Sequence, residues 1–140
     1  MSIREKTVVE QKAPPPHSCA GIAFRHGKIL LVKRAKAPFK GCWTCPGGKG
    51  LPDEQPVDTM LREFLEEMGI PFEVDSLYEI QRSPEQDYFK FIGRCTGNIR
   101  IEPAELLDFG WFSYQEASGL ELGFNFQDLV ERLHRDRLLL

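Results

Sequence analysis

The sequence has no long apolar run. Its longest apolar stretches, residues 29–32 and 138–140, fall far short of the roughly 20 residues that cross a bilayer, so no membrane helix is expected. It has no excess of basic charge: 18 Lys and Arg stand against 21 Asp and Glu, a net charge of −3. That balance argues against general binding to nucleic acid, which favours a clearly basic surface. Residues 1–16 lack the apolar core of a secretory signal, and a cytoplasmic protein is the expectation. Cysteine is sparse, at four residues. Cys42-Trp43-Thr44-Cys45 has the spacing of a redox pair. Such pairs sit at a helix N-terminus that lowers the first thiol's pKa, whereas here Pro46-Gly47-Gly48 follows and the next helix signal comes only at Pro56. A zinc site would need four ligands, usually with a second close pair, and Cys19, Cys95, His17, His26 and His134 are scattered. Two ordinary strand cysteines are the preferred reading.

What is present is a globular composition of 140 residues, 41% hydrophobic and 28% charged. That length suits one domain. Residues 1–16 are polar, end in Pro14-Pro15-Pro16, and read as a flexible arm; residues 17–140 read as the domain. Residues 18–25 and 29–33 flank His26-Gly27-Lys28 and predict a hairpin. Residues 43–46 suggest a short strand ended by the breakers Pro46-Gly47-Gly48. Strands are expected over 72–80, 88–95 and 105–114, and an amphipathic helix over 128–135 with Leu129, Val130 and Leu133 inward.

The strongest helix signal is Pro56–Met68. Val57, Met60, Leu61, Phe64, Leu65 and Met68 form one apolar stripe at the helical period. Pro56 suits the first helical position, Gly69 the left-handed cap, and Pro71 stops continuation. Glu63, Glu66 and Glu67 lie beside that stripe at i, i+3 and i+4, where like charges repel. The helix contains no Lys to separate them. Two readings stand at this point: a solvated acidic face, or a set of hard oxygen ligands for a divalent cation.

The loop before the helix adds Pro46-Gly47-Gly48-Lys49-Gly50 and Glu54. With it the chain resembles the Nudix family, whose box is G-x5-E-x7-R-E-U-x-E-E-x-G-U with U apolar. Here the box reads Gly48, Glu54, Arg62-Glu63-Phe64, Glu66-Glu67 and Gly69-Ile70, with every specified position matched over 23 residues. The likeness extends outward. Residues 29–34 resemble the family's second strand, Gly41–Gly48 its Gly-x-Trp-x-x-Pro-Gly-Gly run, and Glu105–Phe112 a late strand with an acid several residues before Trp. Asp53 stands where Gly is common, and Gln55 where Ser often caps the helix.

The resemblance implies an α/β/α sandwich around a mixed β-sheet. It also implies a Mg²⁺- or Mn²⁺-dependent hydrolase that cleaves a nucleoside diphosphate linked to another moiety. Glu63, Glu66, Glu67 and the Gly47 carbonyl would hold metal. Arg62 would orient a catalytic glutamate, and Glu54 and Gly69 would shape the loop–helix unit. Glu66 is the first choice of base within the box and Glu105 the candidate outside it. Gly48, Lys49, Lys36 and Tyr88 are candidate substrate contacts. Subfamily signals divide. Pro84 and Lys33-Arg34-Ala35-x-x-Pro38 resemble ADP-ribose and nucleotide-sugar pyrophosphatases, whereas the position of Tyr88 resembles that in diadenosine polyphosphate hydrolases. ADP-ribose or a nucleotide sugar is the first choice of substrate, with MutT-like hydrolysis of oxidised or ordinary nucleoside triphosphates, or of diadenosine polyphosphates, as the alternative. A catalytically inactive Nudix-fold nucleotide-binding module is the reading from another class; the intact box argues against it. A homodimer is one assembly the resemblance allows.

Overall fold

The computed structural model describes residues 14–140; most of the expected arm, residues 1–13, lies outside the described residues. In chain order the elements are β1 (His17–Arg25), β2 (Lys28–Arg34), β3 (Trp43–Thr44), β4 (Gly47–Lys49), α1 (Pro56–Met68), β5 (Glu73–Gln81), β6 (Asp87–Arg94), β7 (Leu106–Phe112), α2 (Tyr114–Ser118) and α3 (Phe126–Arg135). The β1–β2 hairpin forms where the sequence predicts it. His26 and Gly27 both take positive φ, the two-residue turn whose twist matches the flanking strands.

The sheet is mixed. β1 runs parallel to β6 from His17↔Asp87 to Ala23↔Gly93. Its other edge is divided: β4 pairs antiparallel with residues 18–20 and β2 with residues 24–25. β5 is antiparallel to β6, and β3 and β7 are antiparallel to β2. Successive strand residues point to opposite faces. Leu30 and Val32 therefore pack with Met60, Phe64 and Met68 of α1, while Ile29 and Leu31 pack with Leu129, Val130 and Leu133 of α3. Both faces of β2 are covered, which explains its unbroken apolar run. The result is the expected α/β/α sandwich. Among the described residues no helix is long and apolar enough to cross a membrane.

α1 has the predicted bounds. Its last turn closes on Gly69 at φ 71°, whose N–H donates to the Leu65 carbonyl. Three details depart from expectation. Only half of the apolar stripe is buried: Met60, Phe64 and Met68 are inside, while Val57, Leu61 and Leu65 are exposed, because the sheet covers a narrower arc than the stripe spans. Gly47 and Gly48 do not merely break the chain; with Lys49 they form β4, since backbone pairing with Ser18–Ala20 needs no side chain. Helix α2 was not foreseen. Its signal is a capping box, in which Glu116 N–H donates to the Ser113 hydroxyl and Ser113 N–H to the Glu116 carboxylate.

Candidate active site

β4 lies against the acidic flank of α1. A Cβ on Gly48 would come within 2.4 Å of the Glu63 carboxyl carbon, so only glycine lets the strand approach the acid this closely. Gly47 N–H donates to Glu67 at 3.1 Å. Glu67 is only 8% exposed. Burial, and then the neighbouring Glu63 charge, push its carboxyl up to about 8; the Gly47 bond and Arg34 offset this only in part. Burial likewise raises Glu63, against the pull of Arg62.

Arg62 is the organising cation. Its Nε and Nη2 grip Glu54 at 2.8 and 2.9 Å. Its Nη1 reaches Glu63 at 2.9 Å and Glu66 at 3.2 Å, and Nη2 also donates to the Lys49 carbonyl at 3.0 Å. The Arg62 bonds, with Thr59 and Leu51 N–H, hold the Glu54 carboxyl down near 2. The guanidinium rises above its usual pKa, chiefly through Glu54.

Beside this cluster lies a cleft of about 730 Å³. Glu63, Glu67, Gly47, Gly48 and Lys49 line one end. Lys36, Tyr88 and Glu105 also line it, and Lys36 pairs with Glu105 at 2.9 Å. Arg62, Glu66, Glu54 and Gly69 are not among the lining residues. Glu66 stands outside Arg62 and is exposed; Gly69 closes the far end of α1.

The donor set suits a hard divalent cation: carboxylate oxygens with little compensating charge. Arg62 holds Glu63 and Glu66, and Gly47 holds Glu67. Among the described residues no three His, Cys, Asp or Glu are gathered into a ready-made cage. Glu67 supplies the test of fit. A buried carboxylate beside a second acid, forced toward its protonated form by burial, is the environment that an added positive charge relieves.

Sequence reasoning missed the other end of the cleft. Lys90 of β6 lines it although only 4% of the residue is exposed. Its Nζ pairs with Glu79 at 3.2 Å and lies 6.0 Å from the Phe126 ring centre. Asn125 donates to Gln81 at 3.1 Å on the same lining. The available signal was a lysine in the otherwise apolar strand Tyr88-Phe89-Lys90-Phe91-Ile92. Of the aromatic residues on that strand, the candidate Tyr88 and Phe89 line the cleft while Phe91 is core. Cys42 and Cys45 are both free thiols. Burial pushes Cys45 up to about 12, the reverse of a redox-active thiol.

Comparison with known proteins agrees with this geometry. The family model described as NUDIX domain matches residues 15–133. A MutT-like protein of Streptomyces ambofaciens is 32% identical over 78% of this chain and 72% of its own. An ADP-ribose pyrophosphatase of Methanocaldococcus jannaschii is 40% identical over 52% of this chain, but the match covers only 43% of that relative. The crystal structure of a MutT NUDIX hydrolase from Burkholderia pseudomallei superposes with a TM-score of 0.76 at 28% identity, covering 86% of this chain and 98% of that one. An intact box, a mixed sheet between two helical layers and a cleft ending in Glu63 and the buried Glu67 thus converge with sequence kinship: the chain belongs to the Nudix hydrolases and is a pyrophosphohydrolase of that family.

Proposed function

We propose that the chain hydrolyses the diphosphate linkage of a nucleotide with Mg²⁺ or Mn²⁺, taking ADP-ribose or a nucleotide sugar as substrate. The observation that carries this reading is the buried Glu67 carboxylate beside Glu63 at the end of a cleft large enough for a nucleotide. The kinship with an ADP-ribose pyrophosphatase supports the substrate. Glu63, Glu66 and Glu67, with the Gly47 carbonyl, would hold the metal. Once bound, the ion would neutralise the phosphates and make a bound water more acidic. Arg62, fixed by Glu54, keeps Glu63 and Glu66 oriented. Lys49 and Gly48 face the phosphates, and Lys36 adds positive charge across the cleft. Glu105 lines the cleft where Glu66 does not, which favours Glu105 as the acceptor of the water's proton.

Nucleoside triphosphate hydrolysis is the second reading. Lys90, Asn125 and Gln81 favour it, because a buried ammonium and an amide pair suit the carbonyl-bearing edge of a base. The test is a panel of ADP-ribose, nucleotide sugars, diadenosine polyphosphates and nucleoside triphosphates with Mg²⁺ and with chelator. Chelator-sensitive release of a nucleoside monophosphate from ADP-ribose or a nucleotide sugar is expected. Preference for a triphosphate would select the second reading, and metal-independent turnover would defeat both.

A further inference from the structure

We propose that His17, the first residue of β1, is a positioning residue for the metal-holding glutamates, acting through Thr59 and Glu54 on Arg62. This rests on reading the acidic end of the cleft as a metal site. His17 is 4% exposed and Thr59 is fully buried. The ring occupies the hollow left by Gly50: a Cβ there would lie 2.2 Å from His17 Nε2. Gly50 N–H also donates to the His17 carbonyl at 2.9 Å. The start of β1, the exit from β4 and the first turn of α1 therefore meet at one imidazole.

The two shortest contacts, Thr59 to Glu54 and His17 Nε2 to Thr59, set the direction of the relay, over the longer 3.2 Å approach of Nδ1 to the Pro15 carbonyl, which would need the other tautomer of a neutral ring. Glu54 is ionised and can only accept. Thr59 has one hydroxyl proton and lies 2.7 Å from Glu54 Oε1. Once that proton is given to Glu54, the hydroxyl oxygen has only lone pairs for His17 Nε2, 2.8 Å away, so Nε2 donates. Glu54 then takes four donors, from Leu51 N–H, the Thr59 hydroxyl and two nitrogens of Arg62. Arg62 is held from behind while its Nη1 faces Glu63 and Glu66. An alternative partner exists. The Gln55 carbonyl stands 3.3 Å from the Thr59 hydroxyl. Without the His17 donor, the hydroxyl is free to turn there, Glu54 loses a bond, and the anchor of Arg62 slackens. Supporting groups of this kind, one step behind the ligands, typically govern metal affinity.

The test measures Mn²⁺ binding alone, from the free-ion electron paramagnetic resonance signal, on the full chain and on His17→Leu, His17→Gln, Thr59→Val and Glu67→Gln. His17→Leu and Thr59→Val are expected to weaken Mn²⁺ about tenfold and to lower kcat with KM nearly unchanged. His17→Gln keeps an N–H donor and is expected to recover most of the affinity. Wild-type affinity in folded His17→Leu would overturn the proposal, as would a loss that glutamine does not rescue. Should His17→Leu fail to fold, Thr59→Val decides, because it exchanges a hydroxyl for a methyl of the same size; wild-type affinity there overturns the relay. Loss in Glu67→Gln without loss in the relay variants rejects only the relay. Equal affinity in wild type and Glu67→Gln rejects the metal site and the relay together.

Discussion

Helices α1 and α3 cover opposite faces of one sheet. α3 buries Phe126, Leu129, Val130 and Leu133. α1 buries Met60, Phe64 and Met68 but also Glu67, while Leu65, two residues before that acid, is 53% exposed. α3 follows the rule that apolar groups leave water and charges stay in it. α1 breaks it on both counts, and the break falls where the box glutamates meet β4. The contrast separates a helix whose sequence serves packing from one whose sequence also serves chemistry. It can be sharpened by substitution on each.

The largest effects belong to the shared, packing side. Phe64→Ala, which removes a ring packed at a 30° tilt with its centre 4.7 Å from that of Phe72, should cost about 3–5 kcal/mol of stability, and Leu133→Ala on α3 about 2–5 kcal/mol, both read by denaturant unfolding. Next comes the acid. Glu67→Gln should lower metal-dependent turnover by about a hundredfold or more, with far-ultraviolet circular dichroism unchanged; a wild-type rate would remove Glu67 from the metal site.

A smaller effect is pH-dependent. Glu67 carries a carboxyl raised from 4.5 to about 8 in the fold. Between those values the folded chain keeps a proton that the unfolded chain releases, so metal-free stability should fall as pH rises through this window. Glu67→Gln should flatten that slope. For the same reason, adding Mn²⁺ at neutral pH should release a proton from the wild type and not from the variant, which calorimetry in buffers of different ionisation enthalpy detects. The smallest effect is on the exposed leucine: Leu65→Gln should stay within about 0.5 kcal/mol of wild type. A larger loss would mean that this side of α1 is covered.

Much of this was legible beforehand. The 3.6-residue period, Pro56 and Gly69 located α1 to the residue, and β2 announced itself by Ile29–Val32. The acids of the box were identifiable because their spacing is local to one helix. Other features depend on residues far apart in sequence. β4 has almost no side chains, so no pattern marks it; its existence depends on the edge of β1. Periodicity says which residues share a side of α1 but not how wide an arc the sheet covers, and so it overstated the core at Val57, Leu61 and Leu65. Lys90 was hidden because a lone lysine in a strand normally points to water; its burial depends on partners far off in sequence, Glu79 on β5 and Phe126, 36 residues later.

The long parallel pairing of β1 with β6 bears on how the molecule assembles. His17 and its partner Asp87 are separated by half the length of the chain, and closing so distant a contact is slow compared with closing a hairpin. During synthesis, β1 can find β2 and β4 well before β6 has emerged. The strand that floors the cleft therefore gains its parallel neighbour only after β6 has been made, so the groove is completed by distant contacts and not by the first hairpin.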